Sequence, residues 1–470
     1  MLSLLLRINC LRAAAEFSAA AFSILLIGCS PNQHDEALTQ GVSISIQAGD
    51  SWFDETDIVI KNLRTNVVVT LARNTVSGAR LCSWAEFAAD DRGSVSTLSS
   101  FAIGGTYLGT DDSGLFWSGG DCQAVPARLG KTVRQEADRW PSKELTDFKV
   151  WVDTGHGIVS KEFSVRAWPG AETYQSKQLP EATPNVGISI YEAANRRTDR
   201  VAVLLGGSDG SPNDLFAAYL ASLGIDSVSL AYFGQAQTPP CLSEIELRDV
   251  DHAFDALQKY WKSERRFVVV GVSRGAEAAV QLAAIRSIDG LILVAPRSNF
   301  GPSVTSDACR PSEAPAWVLD EEPIASVPRT FKVQLPQETS PLAPVDTLSA
   351  LELLLDQDRD LELRTRVPIG SVTEDVLVIV GEFDRVSGLP AAQRLIARHR
   401  LASACVSRLR ILEGASHAVF GPHLVAPAAA ETTVPILDRT QLAQRARDAK
   451  ARKEIWADIE SFLIDRTDCQ

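Results

Sequence analysis

A serine hydroxyl attacks a carbonyl only when a base takes its proton, so a serine held at a sharp turn within reach of a histidine and a carboxylate is a candidate for acyl transfer. The stretch Gly271-Val272-Ser273-Arg274-Gly275 offers such a serine, and its glycines let the backbone turn without a Cβ clash. At ordinary usage a G-x-S-x-G pattern arises by chance in a chain of this length with a probability of roughly 0.15. Its surroundings therefore carry more weight than its five letters. The partners are sought after later strands: Asp384 lies four residues past Val380 in Gly381-Glu382-Phe383-Asp384, and His417 lies five past Leu412 in Glu413-Gly414-Ala415-Ser416-His417. Glu382 and His423 are the rival acid and base, whereas His252 and His399 fall in helical text away from strand ends and read as surface residues. The N–H of Arg274 opens a helix and can face a developing oxyanion. A second donor is expected from the turn Gly206-Gly207-Ser208-Asp209-Gly210, at Gly207 or Ser208, with no choice between them. That turn lacks the spacing of a phosphate-binding loop.

These residues need a frame. Phe267-Val268-Val269-Val270, between Arg266 and Gly271, reads as a buried strand, and the small residues after Gly275 read as a tightly packed helix. The same alternation recurs: strands at 201–205, 227–232, 291–295, 376–380 and 406–412, helices at 214–223, 245–262, 389–400 and from about 441 to 463. Strand–helix alternation gives a mostly parallel sheet with helices on both faces, an α/β architecture whose active residues belong at the strands' carboxyl ends. With the serine turn, this is the α/β-hydrolase arrangement, expected over 200–470 with an inserted cap at about 299–366 that holds Pro315, Trp317 and the leucine-rich run 348–355. Upstream, residues 42–166 read as short alternating strands broken by turns, an immunoglobulin-like β-sandwich. Residues 167–199 read as a linker ending in an edge strand at 187–191.

The 470 residues are 45% hydrophobic, enough for two cores, and the formal net charge is −13 with no Lys/Arg-rich cluster. That balance argues against nucleic acid as a partner. Arg7 and Arg12 precede an apolar run over 17–28, too short to span a bilayer, and Glu16 sits at its edge. The run ends in Leu26-Ile27-Gly28-Cys29, which resembles a lipoprotein cleavage site. That resemblance implies a signal peptide over 1–28, lipidation of Cys29, a tether over 29–41, and, with Ser30 next, an outer-membrane position in the cell envelope; an ordinary secretory signal and a fortuitous apolar helix are the alternatives. Eight cysteines, less Cys10 in the leader and Cys29 at the anchor, leave six. Cys82–Cys122, Cys241–Cys309 and Cys405–Cys469 is the pairing that keeps each bridge within one region, against free buried thiols. No cluster suggests a metal, and no cofactor is expected.

Longer motifs carry a resemblance. Trp84-Ala85-Glu86-Phe87-Ala88-Ala89-Asp90, Gly104-Gly105-Thr106-Tyr107-Leu108-Gly109 and Gly114-Leu115-Phe116-Trp117-Ser118 resemble the N-terminal domain of the acyl-CoA thioesterases and bile-acid-CoA:amino-acid N-acyltransferases. The same aromatics also suit a sandwich core. Leu205-Gly206-Gly207-Ser208, Leu230-Ala231-Tyr232-Phe233, Pro239-Pro240-Cys241-Leu242 and Gly271 to Glu277 resemble that family's C-terminal domain, and Ser273, Asp384 and His417 occupy its triad positions. The resemblance implies an acyl-CoA thioesterase working through an acyl-serine. Two departures matter: the acyltransferase branch carries cysteine where Ser273 stands, which favours hydrolysis, and Ser387 stands where the family has tryptophan. An envelope protein meets little CoA, although Arg274, Arg310, Arg329 and Lys332 offer local positive charge, so an esterase on oxygen esters, an N-acyltransferase and a silent binding scaffold stand as alternatives.

Overall fold

The computed structural model describes residues 41–74, 80–122, 146–179, 185–208, 212–304, 314–329, 347–424 and 439–465. Its centre is an eight-stranded sheet: β1 (Tyr174–Gln178), β2 (Gly187–Ala193), β3 (Arg200–Leu205), β4 (Ser227–Ala231), β5 (Arg266–Val272), β6 (Gly290–Val294), β7 (Val376–Gly381) and β8 (Ser407–Leu412). The spatial order is β1-β2-β4-β3-β5-β6-β7-β8. The β1–β2 and β2–β4 pairs are antiparallel and every remaining pair is parallel. The strand text is continuous in apolar residues because both faces are covered. On β3, Val201, Val203 and Leu205 face one core while Ala202 and Leu204 face the other. Helices α2 (Leu247–Tyr260), α3 (Arg274–Ile285) and α4 (Leu389–Ala402) line the first face; α1 (Asp214–Ser222) and the long α5 (Arg439–Ile464) line the second.

Two readings of the sequence are corrected here. The stretch expected as a linker contains β1, which pairs with β2 from Tyr174↔Ala193 to Gln178↔Ser189, so β2 is not the edge. The polar text of β1 explains the misreading: its residues are largely exposed, as an edge strand permits. Gly114–Trp117, read as loop and strand, is a single helical turn that buries Leu115, Phe116 and Trp117.

Before the sheet lies an all-β region. Strands Val67–Asn74, Arg80–Phe87, Ala102–Gly105, Asp147–Asp153 and Ile158–Ser164 form one antiparallel sheet, and Ser43–Gln47, Asp57–Lys61 and Val95–Ser96 form a second. Their shared core includes Phe87, Tyr107 and Trp117 of the motif text, together with Leu424 and Ala449 from the later half of the chain. Trp84 packs on the outer side beside Trp151 and Cys82. Phe53 crosses to the α/β half, where it stacks on Tyr219 at 3.9 Å and meets Trp456 edge-on at 5.5 Å.

Cys82 and Cys122 are joined, with an S–S distance of 2.07 Å. Cys241 and Cys405 are also disulfide-bonded. Their expected partners, Cys309 and Cys469, lie outside the described residues, as do Cys29, Arg310 and Lys332. The inserted segment leaves and re-enters the fold at one point, where Asn299 and Arg366 form an isolated bridge.

Candidate active site

Ser273 sits between the end of β5 and α3 with φ +52° and ψ −112°, a left-handed backbone that costs a serine about 1–3 kcal/mol. The turn is held from two sides. The Ser273 N–H donates to the Val294 carbonyl of β6 at 2.8 Å. A Cβ on Gly271 would lie 2.6 Å from Ala276 Cα, and one on Gly275 would strike the carbonyls of Leu205 and Gly206. Glycine is thus required at both places by close packing, and Gly275 brings the Gly206-Gly207-Ser208 turn against the start of α3.

The base arrives from the other end of the sheet. His417 Nε2 lies 3.0 Å from Ser273 Oγ, and its Nδ1 lies 2.9 Å from Asp384 Oδ2. A carboxylate only accepts, so Nδ1 carries the proton in the neutral ring and Nε2 is left as the acceptor for the serine O–H. Asp384 is 3% exposed, and its Oδ1 accepts the N–H groups of Val386 at 2.8 Å and Ser387 at 2.9 Å. Burial pushes that carboxyl up. The hydrogen bond and charge of His417, with the two backbone donors, more than offset it, and the group stays below the usual carboxylate range.

The loop carrying His417 is fixed by neighbours that the sequence did not single out. Asp448 of α5 accepts from Ser416 N at 2.7 Å and from Ser416 Oγ at 2.8 Å. Gln444 and Arg447 donate to the Gly414 carbonyl at 2.9 and 3.1 Å. Gln444 and Asp448 stand one helical turn apart on one face of α5, a spacing that signals a shared neighbour without naming it. Glu382, the rival acid, is exposed and accepts from Gly414 N at 2.8 Å, so it braces the histidine loop. Gly381 is required beneath them, since a Cβ there would strike the carbonyls of Ala415 and Ser416.

The remaining candidates fall elsewhere. His423 is buried toward the all-β half, its Nε2 has no hydrogen-bond partner, and burial lowers its pKa to about 4. His252 is exposed on α2. His399 is not the surface residue expected: it is fully buried, with Nδ1 2.6 Å from Ser407 Oγ, because α4 turns that side onto the sheet. Arg274 also departs from expectation in its side chain. The guanidinium is buried, 3.2 Å from Glu277 Oε1, and donates to the carbonyls of Gly301 at 2.8 Å and Pro302 at 3.0 Å, so it is withdrawn from any ligand. Arg329 is likewise engaged, donating to Ser303 O at 2.5 Å. Glu277, fully buried, accepts in turn from Trp317 Nε1 at 2.8 Å and Gly301 N at 3.2 Å.

The oxyanion candidates come from the start of α3 and the turn packed against it. As the first residue of α3, Arg274 has a backbone N–H without an intrahelical acceptor. Gly207 is half-buried and Ser208 exposed, while Asp209 and Gly210 lie outside the described residues. Tyr232 Oη donates to the Gly206 carbonyl and fixes the turn from below.

Sheet order, strained serine turn and hydrogen-bonded trio together make this an α/β-hydrolase-fold protein. Family comparison agrees by halves: residues 54–152 match the acyl-CoA thioester hydrolase/BAAT N-terminal region, and residues 202–431 match the alpha/beta hydrolase family. The chain thus carries an acyl-CoA thioester hydrolase/BAAT N-terminal region joined to an alpha/beta hydrolase domain, the architecture of an enzyme acting on esters. Among curated proteins it is similar to acyl-coenzyme A amino acid N-acyltransferase 1 of Mus musculus, 22% identical over 81% of this chain and 86% of that protein. It is also similar to acyl-coenzyme A amino acid N-acyltransferase 2 of Rattus norvegicus, 23% identical over 81% and 87%. Among solved structures, carboxyl esterase 2 of Tuber melanosporum aligns over 63% of this chain and 90% of that one, at 12% identity and a TM-score of 0.37.

Proposed function

We propose that the protein hydrolyses acyl thioesters through an acyl-serine, with Ser273 as nucleophile, His417 as acid–base and Asp384 as its orienting carboxylate. The observation that carries this reading is the continuous Ser273–His417–Asp384 hydrogen-bonded chain at 3.0 and 2.9 Å. His417 Nε2 takes the serine proton as Oγ bonds to the carbonyl carbon, and the oxyanion collects at the N–H of Arg274 and that of Gly207 or Ser208. The imidazolium then protonates the departing thiolate, and a water activated by the same nitrogen releases the acid. A thioester is the favoured substrate because residues 54–152 match the acyl-CoA thioester hydrolase/BAAT N-terminal region.

The curated relatives are named for transfer to amino acids. With serine as nucleophile the intermediate is an oxygen ester, which amines attack far less readily than a thioester, and water therefore wins here. The test is labelling of the purified chain by a fluorophosphonate probe. Labelling lost in Ser273→Ala supports the assignment; an unlabelled native protein overturns it. Acyl-CoA and matched p-nitrophenyl esters, assayed with and without glycine, then separate thioesterase, esterase and transferase. We further propose a lipid-anchored position in the cell envelope through Cys29, favoured by Leu26-Ile27-Gly28-Cys29 after an apolar run. Incorporation of labelled palmitate that survives Cys29→Ala would remove it.

A further inference from the structure

On α5, Gln444, Asp448, Arg452 and Trp456 stand at every fourth position. Such a row follows one stripe of a helix and rises about 6 Å per step. Each of the four touches the backbone of the strap 414–424, which carries the base, and the order is kept. Gln444 donates to the Gly414 carbonyl at 2.9 Å, and Asp448 accepts from Ser416 N at 2.7 Å. Arg452 Nη1 donates to the Ala418 carbonyl at 3.1 Å, and Trp456 Nε1 donates to the Gly421 carbonyl at 3.0 Å. Two residues of chain span at most about 7 Å, so four helical residues match two residues of the strap. His417 therefore stands between two fixed points, with Asp448 on the residue before it and Arg452 on the residue after it.

An arginine is a costly choice for that place. Arg452 is 2% exposed, and its Nε has no hydrogen-bond partner. Burial lowers its pKa to about 10 against the raising charge of Asp448, one turn earlier, and Arg445 lowers it further. A methionine would fill much of the same space without burying a charge. What the guanidinium adds is a rigid donor held on the peptide next to the base. The far end of the strap leaves the α/β half. Val419 and Phe420 pack in the second core of the sheet, Phe420 lying 4.5 Å from Phe216 and 5.0 Å from Trp456. Leu424 is then fully buried in the all-β core, and its N–H donates to the Trp52 carbonyl at 3.3 Å. The strap thus joins His417 to the core of the other half within seven residues.

We propose that Arg452 is a positioning residue for His417, and that the strap it pins makes the alignment of the base depend on how the all-β half is seated. This rests on the acyl-serine reading and gives α5 and the all-β half a part in it. His417 Nε2 has to keep its 3.0 Å approach to Ser273 Oγ while the ring gains and loses a proton. A loop held on one side only lets the ring swing. Asp448 holds the near side, and Arg452 and Leu424 hold the far one.

The experiment uses the full chain with p-nitrophenyl butyrate. Arg452→Met keeps the bulk and removes the donor. Its kcat falls about tenfold, the scale of a small misplacement of a reacting group, while KM changes by less than about twofold and fluorophosphonate labelling slows in parallel. Tm holds or rises, because a buried charge is gone. Arg452→Lys, which keeps a donor, recovers part of kcat. A merely structural residue would move Tm and leave the kcat of the folded chain unchanged, and that result overturns the proposal. For the anchor, Leu424→Ala is compared with Val150→Ala, a truncation in the same core on the strand Asp147–Asp153, each assayed equally far below its own Tm. A loss of kcat in Leu424→Ala alone supports the strap, and equal kcat in the two removes it. If Arg452→Met does not fold, this pair decides the matter. A native chain that the fluorophosphonate labels, but whose Arg452→Met form keeps full kcat, loses only this inference; an unlabelled native chain loses the hydrolase reading as well.

Discussion

Asp384 does two jobs through one carboxylate: Oδ2 fixes the histidine tautomer, and Oδ1 ties its own loop through Val386 and Ser387. In Asp384→Asn the amide can donate to Nδ1, which favours the wrong tautomer, and kcat falls by about 10³–10⁴ in a steady-state assay while fluorophosphonate labelling slows in parallel. The sign of its pH effect follows from its depressed pKa. Its stabilising contribution is full above the ordinary carboxylate value of about 3.9 and is lost only as pH falls through the lower folded value. Any loss of activity above pH 5 therefore belongs to another group. Ser387 offers a contrasting test. Its Oγ is buried without a partner, a cost of about 1–3 kcal/mol if water is excluded, so Ser387→Ala is expected to hold or raise Tm by calorimetry.

Helices position the reacting residues from behind. Asp448 holds Ser416 by two hydrogen bonds, and the residue next to Ser416 is the base. Asp448→Ala is expected to lower kcat by about ten- to a hundredfold with a smaller change in KM, because a histidine misplaced by an ångström loses alignment before the substrate loses affinity. On α3 the buried Arg274–Glu277 pair ties the serine helix to Gly301 and Trp317 of the inserted segment. Breaking one side strands a charge: Glu277→Ala is expected to cost about 3–5 kcal/mol in denaturant unfolding, and the double variant Arg274→Met, Glu277→Leu to recover most of it. No recovery would mean that the two groups act independently.

At the scale of the whole molecule the all-β half is tied to the α/β half through α5. Lys453 bridges Glu55 at 2.6 Å and Asp112 at 2.5 Å, and Phe53 lies against Tyr219 and Trp456. His423 is buried at this junction. Burial, then the nearby Lys453 charge, lowers its pKa from 6.5 to about 4. The unfolded chain therefore binds the extra proton throughout that window, so the stability due to neutral His423 is complete above about pH 6.5 and drains away as pH falls toward 4. His423→Gln should flatten the dependence of Tm on pH between those limits; an unchanged slope would show that His423 does not set it.

Much of this protein was legible in its residues, because the signals were local. Continuous apolar runs between turn residues predict strands buried on both faces, and the α/β order, Ser273, Asp384 and His417 follow from where those runs end. What escaped lacked a local signature. β1 is polar because it is an edge, and the single turn Gly114–Trp117 is too short to show a helical period. His399 looks like any histidine on a helix until the sheet covers it. The sequence by itself determined the elements and the types of the reacting groups, since periodicity and turn chemistry act over a few residues. Only the tertiary structure decided which partners meet: Asp448 behind the base, and Glu277 on the guanidinium of Arg274. Those pairings join residues 3 and 32 positions apart through folded contacts, and burial, which sets their energies, is a property of the assembled chain.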